Sequence, residues 1–131
     1  MSVDMCKKVI VIVEDHEATA ELISDYLNEE PEYEALTAGD AATALELIQA
    51  RKPDLILLDV KLPDIDGFEL YDFLQEDPAT RDIPVIFITA STSRGISADL
   101  ERRHIESYVA KPFELEYLLS RVTETLREGK G

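Results

Sequence analysis

The stretch that decides the fold is LILLDVKLPDIDG, residues 55–67. It opens with four apolar residues, which is typical of a strand buried on both faces of a parallel sheet. The apolar run stops at Asp59, and turn-forming residues follow it, among them Pro63 and Gly67. Ligands bind at the carboxyl ends of strands in open parallel sheets, so Asp59 stands where a functional group is expected. This strand alone leaves a second interpretation equally open, in which Asp59 only caps a turn or the next helix.

The composition indicates one globular domain of ordinary size. Of the 131 residues, 45% are hydrophobic, which is enough for a buried core. We therefore expect a single domain over residues 1–131, with its folded core at about residues 7–127. With 28 acidic and 13 basic side chains, the formal net charge is −15. That charge opposes direct binding to nucleic acid or to an anionic membrane surface.

The cysteine content and the lengths of the apolar runs indicate where in the cell the protein is located. Cys6 is the only cysteine, which excludes an internal disulfide and a multi-thiolate metal site. The longest early apolar run, residues 9–13, is too short for a signal-peptide core or a membrane span. We therefore expect a cytoplasmic protein without membrane contact.

Strand-like and helix-like segments alternate five times along the chain. The expected strands are residues 7–13, 33–38, 55–58, 85–89 and 108–110, and the expected helices are about 17–28, 41–50, 68–76, 96–103 and 114–127. This alternation predicts an α/β fold with right-handed crossovers and helices on both faces of a parallel sheet. We expect the flavodoxin-like strand order 2-1-3-4-5, flanked by five helices.

Helical periodicity predicts which side chains face the core. Leu22 on the first helix and Phe73 on the third belong to the predicted inward stripes. The fourth helix offers only Ile96 and Leu100 as clearly apolar positions, so we expect it to dock weakly and to be mobile.

Polar residues end four of the five predicted strands. These are Glu14 with Asp15, then Asp59, Thr89 and Lys111. In the order 2-1-3-4-5 the four strands are neighbours, so these side chains are expected at one edge of the sheet. Each could be an ordinary loop residue, but an ordinary role for all four at the same edge is improbable.

Three carboxylates at one edge repel each other and need compensating charge. At about 4 Å and an effective dielectric constant of about 20, each like-charged pair costs about 4 kcal/mol. Lys111 supplies one positive charge, and Mg²⁺ suits a site of a few carboxylates with open positions for phosphate and water. A carboxylate in such a site can act as a nucleophile and form an acyl phosphate.

These residues resemble the receiver domain of two-component response regulators. The resemblance runs from Lys7 to about Arg127 and is carried by the motifs VIVEDHE, DLILLDVKLPDIDGFEL, DPATRDIPVIFITA and YVAKPFE. It implies that Asp59 is the phosphoacceptor. It also implies a Mg²⁺ site made of Asp15 and Asp59 directly, Glu14 through water, and the backbone carbonyl of Lys61.

The resemblance also assigns the other strand-end residues. Thr89 corresponds to the switch hydroxyl, Lys111 to the phosphoryl-binding cation, and Tyr108 to the switch aromatic that turns inward when Thr89 moves. The Lys111–Pro112 peptide bond is expected to be cis, a form that proline makes accessible. Without the resemblance, Tyr108 would be interpreted as an ordinary aromatic at the edge of a sheet.

The chain departs from the family pattern before the fifth strand. His104 and Ile105 stand where receivers usually have Gly-Ala, so His104 must take a positive φ if the helix still ends there. His16 is expected to be an exposed residue at a helix start. Lys61 and Ser91 occupy positions that tune the lifetime of the phosphoryl group in the family.

The resemblance implies a phosphorylation-dependent signalling switch. A phosphohistidine on a histidine kinase or a histidine phosphotransfer protein would donate its phosphoryl group to Asp59. The face formed by the fourth helix, the fifth strand and the fifth helix would then change its binding to a downstream protein of unknown identity. The chain would catalyse its own phosphorylation and dephosphorylation without being a conventional enzyme, and would be a monomer or a weak homodimer.

Two alternatives remain open. One is an interaction module with the same fold that is never phosphorylated. The other is a phosphohydrolase with an aspartate nucleophile, which would need a second Asp where this chain has Lys61. The sequence also leaves open whether the receiver stands alone or is part of a larger regulator.

Overall fold

The structure, a computed structural model, describes residues 7–90, 94–105 and 107–128. Within these ranges five strands and five helices alternate as predicted. The strands are β1 (Lys8–Val13), β2 (Tyr33–Ala38), β3 (Leu55–Asp59), β4 (Val85–Thr89) and β5 (Tyr108–Ala110). The helices are α1 (Glu17–Asn28), α2 (Ala41–Arg51), α3 (Gly67–Glu76), α4 (Arg94–Arg102) and α5 (Leu115–Glu128). Cys6 and Ser91 lie outside the described residues.

The strands form one parallel sheet in the order β2-β1-β3-β4-β5. This confirms the predicted flavodoxin-like architecture. The strand order reverses between β1 and β3, because β2 lies on one side of β1 and the later strands follow on the other. Such a reversal opens a crevice at the carboxyl ends of the two central strands. The crevice therefore lies beside the residues that follow Val13 and Leu58.

The core has two layers, one on each face of the sheet. Successive residues of β3 point to opposite faces, so Ile56 and Leu58 pack in one layer while Leu55 and Leu57 pack in the other. The first layer is closed by α2, α3 and α4, and the second by α1 and α5. Because both faces are covered, the four residues Leu55–Leu58 are all fully buried, which explains their unbroken apolar run.

Two predicted core positions are wrong. Leu22 is 57% exposed and Phe73 is 55% exposed. Consecutive helical residues point about 100° apart, so the residue beside a buried position faces partly outward. The inward stripe of α1 runs through Ile23 and Leu27, and that of α3 runs through Leu70 and Leu74.

A polar contact anchors the end of α4, in addition to its apolar residues. Leu100 is buried and Ile96 packs against the same layer of the core. Just beyond the helix, the guanidinium of Arg103 donates two hydrogen bonds of 2.8 Å to the carboxylate of Asp72 on α3. It also lies 4.9 Å from the ring centroid of Phe68. The periodicity that predicted weak docking of α4 gave no sign of this contact.

The turn after α4 takes the conformation predicted for it. His104 has a φ of 58°. Its N–H donates to the carbonyl of Glu101, and the N–H of Ile105 donates to the carbonyl of Leu100. This pair of bonds is the Schellman arrangement, in which a left-handed residue ends the helix. The Lys111–Pro112 peptide bond is cis, as expected. In the described part of the chain, every helix falls short of the length and apolar character needed to cross a bilayer.

Candidate functional site

The strand-end residues lie together at the carboxyl edge of the sheet. Glu14, Asp15, Asp59, Thr89 and Lys111 all line one open pocket of about 390 Å³. They come from the ends of β1, β3, β4 and β5, which are consecutive neighbours in the sheet. The convergence predicted from the strand order is therefore present. Lys61 and His16 line the same pocket.

Backbone hydrogen bonds continue past the strand ends and hold these residues in place. The N–H of Glu14 donates to the carbonyl of Ala38 at 3.0 Å, which extends the pairing of β1 with β2. The N–H of Lys111 donates to the carbonyl of Thr89 at 2.7 Å, which extends the pairing of β4 with β5. Glu14 and Lys111 are therefore held at the ends of neighbouring strands by backbone hydrogen bonds.

The start of α3 lies directly against the backbone of Asp59. The N–H of Gly67 donates to the carbonyl of Val60 at 2.7 Å. A Cβ atom at position 67 would lie 2.3 Å from the carbonyl oxygen of Asp59 and 3.0 Å from the Cα of Val60. Glycine is required here because of this close approach. Sequence reasoning identified Gly67 only as a turn former, since the approach exists only once α3 packs on the sheet.

The three carboxylates form a cluster of oxygen donors. One side-chain oxygen from each of Glu14, Asp15 and Asp59 lies within 4.8 Å of the others. Glu14 is 2% exposed and Asp59 is 5% exposed, whereas Asp15 is open to solvent. Oxygen-only donors at this separation fit a hard divalent cation such as Mg²⁺, which keeps several waters. These residues would hold the cation, and it would supply positive charge where two carboxylates are shielded from water.

Lys111 forms salt bridges with two of the three carboxylates. Its Nζ lies 2.9 Å from Oε1 of Glu14 and 3.2 Å from Oδ2 of Asp59. The other oxygen of Asp59, Oδ1, accepts a hydrogen bond of 3.2 Å from the backbone N–H of Lys61. The second oxygen of Glu14 accepts from the N–H of His16 at 3.1 Å. The three carboxylates and one ammonium leave a formal charge of −2 on this group, which is the imbalance a cation would correct.

The surroundings of Asp59 make its negative charge less favourable than in water. Burial, and after it the nearby charge of Glu14, raise the pKa of Asp59 to about 6. Lys111 and the Lys61 N–H oppose it. Burial lowers the pKa of the Lys111 ammonium, but its bonds to Glu14 and Asp59 outweigh that effect and raise the pKa above its usual value. Lys111 therefore stays charged, and Asp59 carries an unfavourable charge at neutral pH.

We expect the Asp59→Asn substitution to stabilise the metal-free protein at neutral pH. The folded pKa lies above the ordinary value of 3.8, so the folded state binds more protons than the unfolded state between about pH 4 and pH 6. The contribution of Asp59 to stability therefore falls as the pH rises through that window. After allowance for solvent screening and the weakened Lys111 contact, the gain should be about 1–2 kcal/mol at about pH 7.5.

Urea denaturation in the presence of a chelator measures this gain. It should shrink towards zero at about pH 4, where the wild-type carboxyl is protonated in the folded state and half-protonated in the unfolded state. Asp25→Asn, on the exposed face of α1, is the matched control and should change the free energy of unfolding by less than about 0.5 kcal/mol. An Asp59→Asn variant less stable than wild type at neutral pH would contradict the argument.

Thr89 and Tyr108 occupy different environments. Thr89 is buried at the end of β4, beside the acidic cluster. Tyr108 pairs with Phe87 across β4 and β5, and 43% of its surface is exposed. The aromatic ring therefore lies at the surface in this structure, outside the group of residues that line the pocket.

Comparisons of the sequence support one family. A family model described as the response regulator receiver domain matches residues 10–123. The polar-differentiation response regulator DivK of Brucella anthropi is 34% identical over 124 residues, which cover 95% of this chain and 97% of the relative. DivK of Brucella abortus matches with the same identity and coverage.

Comparisons with solved structures agree with the family found from the sequence. A CheY-like response regulator receiver domain protein from Methanospirillum hungatei superposes with a TM-score of 0.84 and is 30% identical, over 93% of this chain and 95% of the other. The phosphorylated cyanobacterial phytochrome response regulator RcpA superposes with a TM-score of 0.78 and is 28% identical, over 95% of this chain and 96% of the other.

Proposed function

This chain belongs to the response regulator receiver-domain family, and we propose that it is a signalling switch that accepts a phosphoryl group on Asp59. The observation that carries the proposal is the buried Asp59 carboxylate, which shares Lys111 with Glu14 and lies beside Asp15. A receiver domain is a component of two-component signalling. The RcpA structure is that of a phosphorylated response regulator, and this similarity supports the proposal that the present chain is phosphorylated.

In the proposed reaction, an oxygen of Asp59 attacks the phosphorus of a phosphohistidine. The new O–P bond forms as the N–P bond breaks, and the electron pair of that bond stays on the imidazole nitrogen of the donor. Asp15 and Asp59 directly, Glu14 through water and the carbonyl of Lys61 would hold Mg²⁺, which would supply positive charge for the phosphoryl oxygens. Lys111, already 3.2 Å from Asp59, would pair with one of those oxygens.

The acyl phosphate would shift the fold between two packings. It adds a charge of about −1.5 to −2, by analogy with other phosphorylated side chains. That charge would attract the hydroxyl of Thr89 and the ammonium of Lys111. Tyr108, which is at the surface here, would turn inward as Thr89 moves. The face made by α4, β5 and α5 would then change its affinity for a partner.

The proposed partners follow from this reaction. The phosphoryl donor would be a histidine kinase or a histidine phosphotransfer protein, and the output would be binding to a downstream protein and not to nucleic acid. We propose one receiver domain with its core at about residues 7–127, which contains the matched range 10–123. A cytoplasmic location and a monomer or weak homodimer remain predictions.

Intact-mass spectrometry after incubation with acetyl phosphate and Mg²⁺ tests the proposal. Wild type should gain one phosphate, and the gain should vanish on chelation of Mg²⁺ and in Asp59→Asn. Asp25→Asn, which removes an exposed carboxylate of α1, should gain phosphate like wild type.

Two results would contradict the proposal. Phosphate retained in Asp59→Asn would move the phosphoacceptor elsewhere. A folded wild type that accepts phosphate neither from acetyl phosphate nor from a panel of phosphohistidine donors would instead be a constitutive interaction module.

A further inference from the structure

The carboxylate of Asp64 joins the loop between β3 and α3 to the first turn of α2. Its Oδ1 accepts a hydrogen bond from the N–H of Ala41, and its Oδ2 accepts one from the N–H of Ala42, both at 3.0 Å. Oδ1 also accepts from the N–H of Ile65 at 3.0 Å. The first N–H groups of a helix have no partner within the helix, and a negative charge is favourable there. The pKa of Asp64 is held below its usual value, with the Ala41 N–H as the largest cause.

The loop that Asp64 holds is the one that leaves the acidic cluster. Its near end is bound to the site, because the Lys61 N–H donates to Asp59. Its far end is bound back to its start, through the bond from the N–H of Gly67 to the carbonyl of Val60, the residue that follows β3. Asp64 ties the middle of the loop to a different element, α2. Hydrogen bonds therefore hold the loop at its start, middle and end, and Leu62 packs against the core, while Asp64 supplies the bonds that reach α2.

We propose that Asp64 is a positioning residue for the Mg²⁺ site, because it keeps the backbone of Lys61 in place by anchoring the loop to α2. This inference rests on the proposed function, which uses the Lys61 carbonyl as a ligand. Mg²⁺ requires near-ideal octahedral geometry with oxygens at about 2.0–2.1 Å. Asp64 follows Lys61 by only three positions, so a displacement of the loop at Asp64 reaches the backbone of Lys61. A small shift of the carbonyl is enough to disturb the geometry that Mg²⁺ requires.

Asp40 provides a matched control on the same helix. It is the N-cap residue of α2, and its side chain accepts the Thr43 N–H at 2.7 Å. Asp40→Ala and Asp64→Ala both remove one negative charge and one carboxylate from the N-terminus of α2. Only Asp64→Ala also releases the loop. The pair therefore separates positioning from helix capping and from loss of charge.

Titration calorimetry of Mg²⁺ binding compares wild type with the two variants. Asp64→Ala should weaken Mg²⁺ binding by about 10-fold or more, the loss expected when a group that orients a metal ligand is removed. Asp40→Ala should stay within about twofold of wild type. In the metal-free protein, amide hydrogen exchange at Lys61 should accelerate in Asp64→Ala and not in Asp40→Ala. If Asp64→Ala fails to fold, Asp64→Asn, which preserves the side-chain volume, should show the same direction of change.

Unchanged Mg²⁺ binding in Asp64→Ala, or equal weakening in both variants, would overturn this inference. If wild type in that case still binds Mg²⁺ and accepts phosphate, the proposed function stands. A wild type that does neither would overturn the proposed function together with this inference.

Discussion

Asp15→Asn should slow phosphorylation by acetyl phosphate by about 100-fold or more at a limiting Mg²⁺ concentration. Glu14 and Asp59 already share Lys111, whereas Asp15 is the exposed member of the cluster and is open to a metal ion. Asparagine keeps the size and one oxygen of the side chain, so the change removes mainly the negative charge. A high Mg²⁺ concentration should restore part of the rate, because the defect lies in metal affinity.

Single-turnover rates from intact-mass spectrometry, measured over a series of Mg²⁺ concentrations, test this expectation. Glu17→Gln is the control, since it removes an exposed carboxylate in the first turn of α1, two positions along the chain from Asp15. Its rate should stay within about twofold of wild type, because Glu17 is outside the group of residues that line the pocket. An Asp15→Asn rate equal to that of wild type at every Mg²⁺ concentration would remove Asp15 from the metal site.

Gly67→Ala should lower the free energy of unfolding by about 3 kcal/mol or more. The new Cβ would lie 2.3 Å from the carbonyl oxygen of Asp59, which is a backbone atom in a fully buried strand. A flexible side chain could move away, but here α3 or the end of β3 must shift. A loss of this size is a large fraction of the total stability of a domain. Any variant that still folds should also accept phosphate more slowly, because the shift displaces Asp59.

Urea unfolding of Gly67→Ala and Gly95→Ala measures the difference. Gly95 lies in α4, and a Cβ added there would meet no atom within 4 Å, so alanine should leave the stability unchanged or raise it by about 0.5–1 kcal/mol. A Gly67→Ala variant within about 1 kcal/mol of wild type would show that the start of α3 yields easily and would contradict the steric argument.

Much of the fold follows from local features of the sequence. The run Leu55–Leu58 and the alternation of strand-like and helix-like segments predicted a parallel sheet in the order that the structure has. The same order predicted that Glu14, Asp59 and Lys111 would meet at one edge. His104 was predicted to have a positive φ if the fourth helix ends where it does in the family, and it has a φ of 58°. Such features can be predicted because buried strands and turns have characteristic patterns of apolar and turn-forming residues over short segments.

Other features were decided only by the tertiary structure. Periodicity could not tell which apolar residues of a helix face the core, so it placed Leu22 and Phe73 inward, where the packed helices leave both exposed. The contact of Arg103 with Asp72 spans 31 positions, and neither residue carries a sign of it in its own sequence neighbourhood.

The loop after β3 has both kinds of feature, those that the sequence predicts and those that only the tertiary structure shows. Its sequence identifies Asp64 and Gly67 as turn formers, which they are. These two residues also make contacts with other elements of the fold. The N-terminus of α2, 23 positions away from Asp64, supplies the N–H donors, and the packing of α3 on the sheet brings position 67 against Asp59. The sequence by itself determined the order of the strands and helices and the polar residues at the strand ends. The contacts that position those residues, such as those of Asp64 with α2 and of Gly67 with Asp59, join different parts of the fold, and local residue patterns do not encode them.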